Sequence, residues 1–350
     1  MQLSIFQDWK QLDDLAVEWN DLLACCSASH VPFLRHEYLS AWWRNLGGGE
    51  WNQAGLYTIV ARQDDDQLVG IAPLFFGENG DGIRALRLLG SVEISDYLDF
   101  IVRQSEIPVF MDALFEHLAN DQSFENNQLL DWQILDLFNL PETSPTLLCL
   151  KSASEKRGWE FSQQQLQPCP YIPLPVDWEI YLSGIDKKQR HEIRRKMRRA
   201  EEYPMPVRWY IVENEAALEA EMEDFFSLMA QDPDKGRFLT KLMRQQLQDI
   251  AHAAFQSGWL QLAFLEAEGE KAAGYMNFDF AGHIWVYNSG LNFDFRELSP
   301  GWVLLGNLLK WAIENHRESV DFMRGGEDYK YRFGGIDRHV VRATIKRRRS

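Results

Sequence analysis

Between residues 321 and 335 the chain reads Asp-Phe-Met-Arg-Gly-Gly-Glu-Asp-Tyr-Lys-Tyr-Arg-Phe-Gly-Gly. Glu327, Asp328, Tyr329 and Lys330 stand in a row, with Arg324 just before them. A carboxylate takes a proton, a phenol gives one up, and a fixed cation stabilises developing negative charge. Glycines let the backbone approach a ligand closely. Glu327 or Asp328 is the candidate proton acceptor, Lys330 the fixed cation and Tyr329 the proton donor. Arg324 is a candidate contact to the substrate.

A second pattern precedes it, Arg296-Glu-Leu-Ser-Pro-Gly-Trp302. Ser299 is expected to cap a helix and Pro300 to occupy its first position, where no donor is needed. The first helical amides then face outward at the positive end of the helix dipole, which suits a phosphate. Arg296, Ser299, Gly301 and Trp302 are therefore candidates for holding a phosphate-bearing donor. A third pattern is basic. Residues 187–199 hold eight Lys or Arg against one acid, Glu192. Helical spacing aligns Arg190, Arg194 and Arg198, and it leaves Ile193, Met197 and Ala200 as a narrow apolar seam. Arg190 and Arg194 are candidate contacts to an anionic substrate, and the same face is open to peripheral contact with an anionic surface.

These patterns need elements to carry them. Residues 1–45 read as helices broken at Pro32-Phe33, with Trp42 and Trp43 as core residues. Residues 56–61 and 68–76 read as a hairpin around Asp64-Asp65-Asp66, which is taken as a solvated turn and not a metal site. Strands follow at 86–89, 97–102 and 132–137, with helices at 107–118 and 144–157. Four prolines in 168–175 mark an extended crossing. Beyond it come helices at 177–185, 187–202, 215–230, 237–256 and 301–315. Strands are expected at 207–212, 260–265, 272–280, 284–290, 320–323 and 340–346. A shift of 204 positions lays residues 56–76 over 260–280 without a gap, matching Leu56 with Leu260, Gly70 with Gly274 and Phe76 with Phe280. A duplicated α/β (α+β) fold with mixed central sheets is the expectation. The expected domains are 1–167, a Pro-rich linker 168–176, and 177–350.

Composition narrows the function. A net charge of −16 argues against DNA binding. The four cysteines lack metal-ligand spacing, and no Gly-x-Ser-x-Gly or His-Glu-x-x-His occurs. No metal is expected. No run of 18 apolar residues or secretion signal is present, so the expected location is cytoplasmic.

Taken together, Pro170-Tyr-Ile-Pro-Leu-Pro175, the basic run from Lys187, Ser299-Pro-Gly301 and Asp321–Lys330 resemble the bacterial CelD/BioF2-like GNAT acetyltransferase family, related to the FemAB peptidoglycan aminoacyltransferases. Pro32-Phe33 and Trp42-Trp43 fit as well. The resemblance spans nearly the whole chain and departs from the usual GNAT phosphate loop at Arg296–Gly301. It implies tandem GNAT-like domains, the first degenerate. It also implies acyl transfer from acetyl-CoA or another acyl-CoA to an amine, on a small-molecule, cell-envelope or exopolysaccharide precursor. Tyr329-Lys330 is similar to the aromatic–lysine pair that sits near the reacting carbonyl in the FemAB-like enzymes, which implies Lys330 as the cation at that carbonyl, Glu327 or Asp328 as the base for the amine and Tyr329 as the acid for the leaving group. An aminoacyl-tRNA donor and a non-catalytic binding role stay open beside it.

Overall fold

The computed structural model describes residues 1–49, 51–78, 82–91, 93–120 and 132–347. The chain forms two compact units, Met1–Gln167 with His339–Ser350, and Pro168–Arg338.

The first unit opens with β1 (Gln2–Phe6), α1 (Trp9–Asp13), α2 (Ala16–Ala24) and α3 (His36–Leu46). The strands β2 (Asn52–Leu56), β3 (Thr58–Arg62), β4 (Leu68–Ala72), β5 (Leu74–Glu78), β6 (Arg84–Leu88) and β7 (Ile101–Val102) follow. Next come α4 (Ile107–Asn120), β8 (Ile134–Pro141), α5 (Thr146–Lys156) and β9 (Glu160–Pro168). The expected hairpin is present but divided. Pro73 has no amide to give to a ladder, so the ribbon bends there and opposite it at Tyr57. Consequently β3 and β4 join one sheet, β1-β3-β4-β7, while β2 and β5 join another. The Tyr57 amide, donating to the Leu74 carbonyl at 3.0 Å, holds the bend. The core gathers Trp19, Phe33, Trp42, Phe75, Phe110 and Leu135, all buried.

The second unit begins with β10 (Tyr171–Pro173), inside the Pro-rich stretch, then α6 (Trp178–Gly184), α7 (Lys187–Glu201) and β11 (Val207–Ile211). Three helices follow: α8 (Glu215–Met229), α9 (Pro233–Phe238) and α10 (Lys241–Gln256). The strands β12 (Leu260–Ala267), β13 (Glu270–Phe280) and β14 (His283–Leu291) lead to α11 (Pro300–Glu314), β15 (Ser319–Asp321) and α12 (Asp328–Arg332). The sheet order is β10-β15-β14-β13-β12-β11, antiparallel except for the parallel pair β14–β15. One face is covered by α11 through Leu304, Leu305, Leu308 and Leu309, which are buried with Ile193 of α7 and Ile284 of β14. The other is covered by α8. There Gly290 is required, because a Cβ would lie 2.5 Å from the Met229 amide nitrogen.

The last strand, β16 (His339–Lys346), returns to the first unit and pairs antiparallel with β8. The first unit's larger sheet is therefore β2-β5-β6-β8-β16-β9. The sequence reading ran the second domain to residue 350, whereas its last eight-residue strand belongs to the first unit. Arg342 of β16 fixes this pairing through its Nε to the buried Asp136 of β8, at 2.7 Å.

The two units share an order of pairings. Each has an antiparallel ribbon, a third antiparallel strand, a crossing helix and a strand parallel to the third. In the first unit these are the β2–β5 ribbon, β6, α4 and β8; in the second, the β12–β13 ribbon, β14, α11 and β15.

Candidate active site

The site begins with a defect in β14. Val286 faces Asn277, but Asn288 faces Met276, so Tyr287 is an extra residue on β14. Such a bulge bends a strand and increases its twist. On its other side β14 keeps a neighbour only over His283–Trp285, opposite Ser319–Asp321 of β15. From Val286 to Leu291 that edge has no strand partner among the described residues, and a gap opens between β14 and β15.

Antiparallel pairs alternate between hydrogen-bonded and non-bonded. The Asn292 amide donates to the Ala272 carbonyl at 2.9 Å, so Gly290 faces Gly274 in a bonded pair and Ser289 faces Tyr275 in a non-bonded one. The peptide groups of Ser289 therefore point into the gap. Its amide donates to Asn288 Oδ1 at 2.9 Å. Its carbonyl accepts from Lys235 Nζ at 2.5 Å, and the same ammonium donates to Ser289 Oγ at 3.2 Å.

The start of α11 lies at the end of this gap. Gly301 packs on Leu291, the last residue of β14, so closely that a Cβ would come 2.8 Å from a Leu291 methyl. Tyr275 donates to the Gly301 carbonyl at 3.5 Å. Ser299 does not cap the helix as expected. It adopts a left-handed conformation, φ 53°, with no side-chain cap bond. The Trp302 and Val303 amides both donate to the Ser299 carbonyl, at 2.9 and 3.2 Å. Pro300 has no amide, so of the first turn the Gly301 amide is the donor left over. Positive charge is supplied instead by α7. Arg199 Nη2 donates to Ser299 Oγ at 3.3 Å, while its Nε is buried without a partner. Lys196 lies 3.8 Å over the Trp302 ring, and burial pushes its pKa down.

The 321–335 stretch forms the other wall. Asp321, fully buried at the end of β15, pairs with Arg338 and accepts from the Met323 amide at 2.7 Å. The turn after it needs left-handed backbone at Met323, φ 61°, and Gly325, φ 111°. Lys330, only 2% exposed, closes this turn. Its Nζ donates to the carbonyls of Met323, Arg324 and Gly325 at 3.3, 2.9 and 2.9 Å. It also pairs with Glu327 Oε2 at 2.7 Å. The sequence reading gave Lys330 the place at the reacting carbonyl; its donors are instead occupied by the turn and by Glu327. Tyr329 is packed edge-on against Phe322, with ring centroids 5.9 Å apart. Burial pushes its phenol pKa up, as does its neighbour Tyr275. Phe333, just after α12, packs tilted against Trp302 with ring centroids 4.7 Å apart, which ties this wall to the start of α11.

Several residues singled out from sequence therefore converge: Ser299, Gly301 and Trp302 at the start of α11, with Glu327, Tyr329 and Lys330 across the gap. Arg324 lies half-buried in the turn that Lys330 closes. Others stand apart. Arg296 turns back onto the Phe293 carbonyl at 3.3 Å, and Asp328 pairs with Arg332 in solvent. Arg190 reaches the α6 carbonyls of Leu182 and Ser183, at 3.5 and 3.4 Å, and Arg194 pairs with Glu179. Sequence reasoning missed Lys235, Ser289, Tyr275, Lys196 and Arg199 as members of the site. The last two lie within the basic run, but the residues singled out there were Arg190, Arg194 and Arg198, one helical face away.

Residues 187–331 match the family model of the acetyltransferase (GNAT) domain. In fold the chain is similar to FemX, with a TM-score of 0.63, 12% identity, and 98% of this chain and 97% of that one covered. It is also similar to the C-terminal domain of a putative lysylphosphatidylglycerol synthetase from Agrobacterium fabrum, with a TM-score of 0.54, 10% identity, and 95% and 91% covered. A third similar structure is L-PGS from Bacillus licheniformis, with a TM-score of 0.52, 13% identity, and 90% and 92% covered. No curated protein matches the chain in sequence.

Proposed function

From a GNAT-type acyltransferase domain in the second unit, we propose that this protein transfers an acyl group from an acyl-CoA, acetyl-CoA in the first instance, to an amine. The observation that carries this reading is the gap between β14 and β15, which opens beside the start of α11 where two α7 cations stand. Arg199, Lys196 and the Gly301 amide are suited to the donor's phosphates. An arm with amide groups can lie along the unpaired edge of β14 as an added strand does. It would carry the thioester towards Tyr287 and Ser289.

The chemistry then follows from the wall opposite. The amine attacks the thioester carbonyl, forming a C–N bond, and its proton passes to Glu327, directly or through one water. The C–S bond breaks and the thiolate takes a proton from Tyr329, whose burial keeps it protonated. Lys330 positions Glu327. The acceptor is an amine on a small molecule or on a cell-envelope or exopolysaccharide precursor, and the reaction is cytoplasmic. Among the described residues no helix is long and apolar enough to cross a membrane. The first unit is a degenerate copy that binds no donor.

Thermal melting with CoA, acetyl-CoA and longer acyl-CoAs tests the proposal. A ligand at 100 times its Kd stabilises by about 2.7 kcal/mol. A rise with acetyl-CoA that Arg199→Ala diminishes supports it; no rise with any CoA removes it. One observation favours a second reading, an aminoacyl-tRNA donor. Lys187, Lys188, His191, Arg194, Arg195 and Arg198 form one exposed stripe along α7. Binding of charged tRNA in the absence of any CoA response would replace the first reading with this one.

A further inference from the structure

Lys235 lies on α9, between two longer helices. Asp232 caps α9 by accepting from the Asp234 and Lys235 amides at 2.8 and 3.3 Å, and Pro233 occupies its first turn. The backbone of Lys235 is thus held in place, and its side chain runs to the edge of β14.

The position of its ammonium follows from the sheet. Gly274 and Gly290 face α8, where Phe225, Leu228 and Met229 leave no room for a Cβ. Their neighbours Tyr275 and Ser289 face the opposite side, where Tyr275 meets Gly301 of α11. The Ser289 carbonyl lies in the plane of the sheet, pointing into the gap. Lys235 comes from the segment following α8 and reaches both that carbonyl and Ser289 Oγ. Its ammonium therefore crosses the sheet edge and lies within the gap itself. Two of its three donors are used by Ser289, and no carboxylate pairs with it within 4.0 Å among the described residues. Burial pushes its pKa down, while Asp232 and Glu327 draw it back up.

We infer that Lys235 is the catalytic cation at the acyl carbonyl, donating its remaining N–H to the oxygen as charge develops there. The inference rests on the acyl-CoA reading above. As the amine nitrogen bonds to the carbonyl carbon, the π pair moves to oxygen and Lys235 stabilises the oxyanion. When the pair returns, the C–S bond breaks and the thiolate leaves. A cation so placed, in a site partly shielded from water, acts without reorganising. Lys330 is excluded from this part because the turn occupies its ammonium.

The test needs no acceptor. S-carboxymethyl-CoA places a carboxylate one bond beyond the carbon that bears the oxyanion, within reach of the same cation, and S-propyl-CoA is its neutral counterpart. Calorimetric titration of the full chain should show wild type binding the carboxymethyl compound roughly tenfold more tightly than the propyl one. Lys235→Met should erase that preference while leaving S-propyl-CoA affinity unchanged, which also reports that the variant is folded. Lys235→Arg should retain part of the preference, and it keeps the test decisive should Lys235→Met fail to fold. An equal preference in wild type and Lys235→Met, with S-propyl-CoA bound by both, overturns the role of Lys235 alone. Failure of wild type to bind either compound overturns the acyl-CoA reading and this inference with it.

Discussion

The two units solve the same topological problem in different ways. In each, a third strand and its parallel neighbour pair briefly and then part. In the first unit β6 meets β8 only at Ala85–Ile134 and Leu86–Leu135. The opening beyond is filled by the chain itself. Residues 94–100 are all buried. Asn139 of β8 donates to the Ser95 carbonyl at 2.8 Å, and Tyr38 donates to the Ile94 carbonyl at 2.7 Å. Gly90, just past β6, lies so near Ser95 Oγ that a Cβ would come within 2.9 Å of it. In the second unit the gap holds the ammonium of Lys235, with no such segment among the described residues. The same arrangement gives a scaffold packed by its own chain in one unit, and in the other a candidate active site whose buried ammonium keeps one donor for a ligand.

Four substitutions can break or sharpen this contrast. The largest effect is expected on the open side. Lys330→Met would leave three carbonyls of the 323–325 turn and Glu327 without their cation. Leaving a buried acceptor without its donor typically costs about 1–3 kcal/mol, so losing the donor to three of them is expected to cost about 3 kcal/mol or more, which urea unfolding would measure. A loss below about 1 kcal/mol would show that Lys330 does not hold the turn.

The plugged side carries a pH signature. Asp99 is buried and accepts from Ser144 Oγ at 2.5 Å and Thr146 Oγ1 at 2.7 Å. Burial nevertheless pushes its pKa up from 3.8 to about 6. A raised folded pKa means the stability contribution is full below the unfolded pKa and is lost as pH rises through the folded one. Wild type should therefore lose up to about 3 kcal/mol between pH 4 and pH 7 relative to Asp99→Asn. Parallel unfolding curves for the two proteins over that range would sink the expectation.

Asn139→Leu should cost about 1–3 kcal/mol, since it strands the buried Ser95 carbonyl and places a branched side chain at φ 61°. If unfolding midpoints stay put, the 94–100 segment is not held by β8. The smallest effect concerns ligand alone. Arg199→Ala should weaken CoA binding roughly tenfold, while Asn139→Leu and Asp99→Asn leave it unchanged by calorimetry. A matching loss in the first-unit variants would place a donor site on the wrong side of the contrast.

Much of the fold was legible. The helices of the second unit follow apolar spacing and capping residues such as Asp186 and Asn214, and the ribbon repeated at a shift of 204 holds the main strands. What escaped is long-range or short. β1 is only five residues long, and β9 carries few apolar residues and is largely exposed. Tyr329-Lys330 reads as a loop among glycines, yet it forms one turn of helix, α12. Pro73 was visible, but sequence periodicity does not reveal that a strand changes sheets. The site was legible as types and not as roles. Glu327, Tyr329 and Ser299–Trp302 do meet, but local pattern could not tell that Lys330 would turn inward. Lys235 sits in Asp-Pro-Asp-Lys-Gly-Arg, where the charges look like ordinary solvated loop residues.

The return of β16 has a consequence for biogenesis. Its partner β8 is complete long before it: His339 bonds Glu142 across 197 residues of chain. At about 5–20 residues per second, roughly 10–40 s of synthesis separate the two. Throughout that interval the nascent protein carries an unzipped sheet margin able to recruit a neighbouring copy. Slowing the ribosome after residue 141, or deleting the codons for 339–346, should raise the fraction recovered as aggregate.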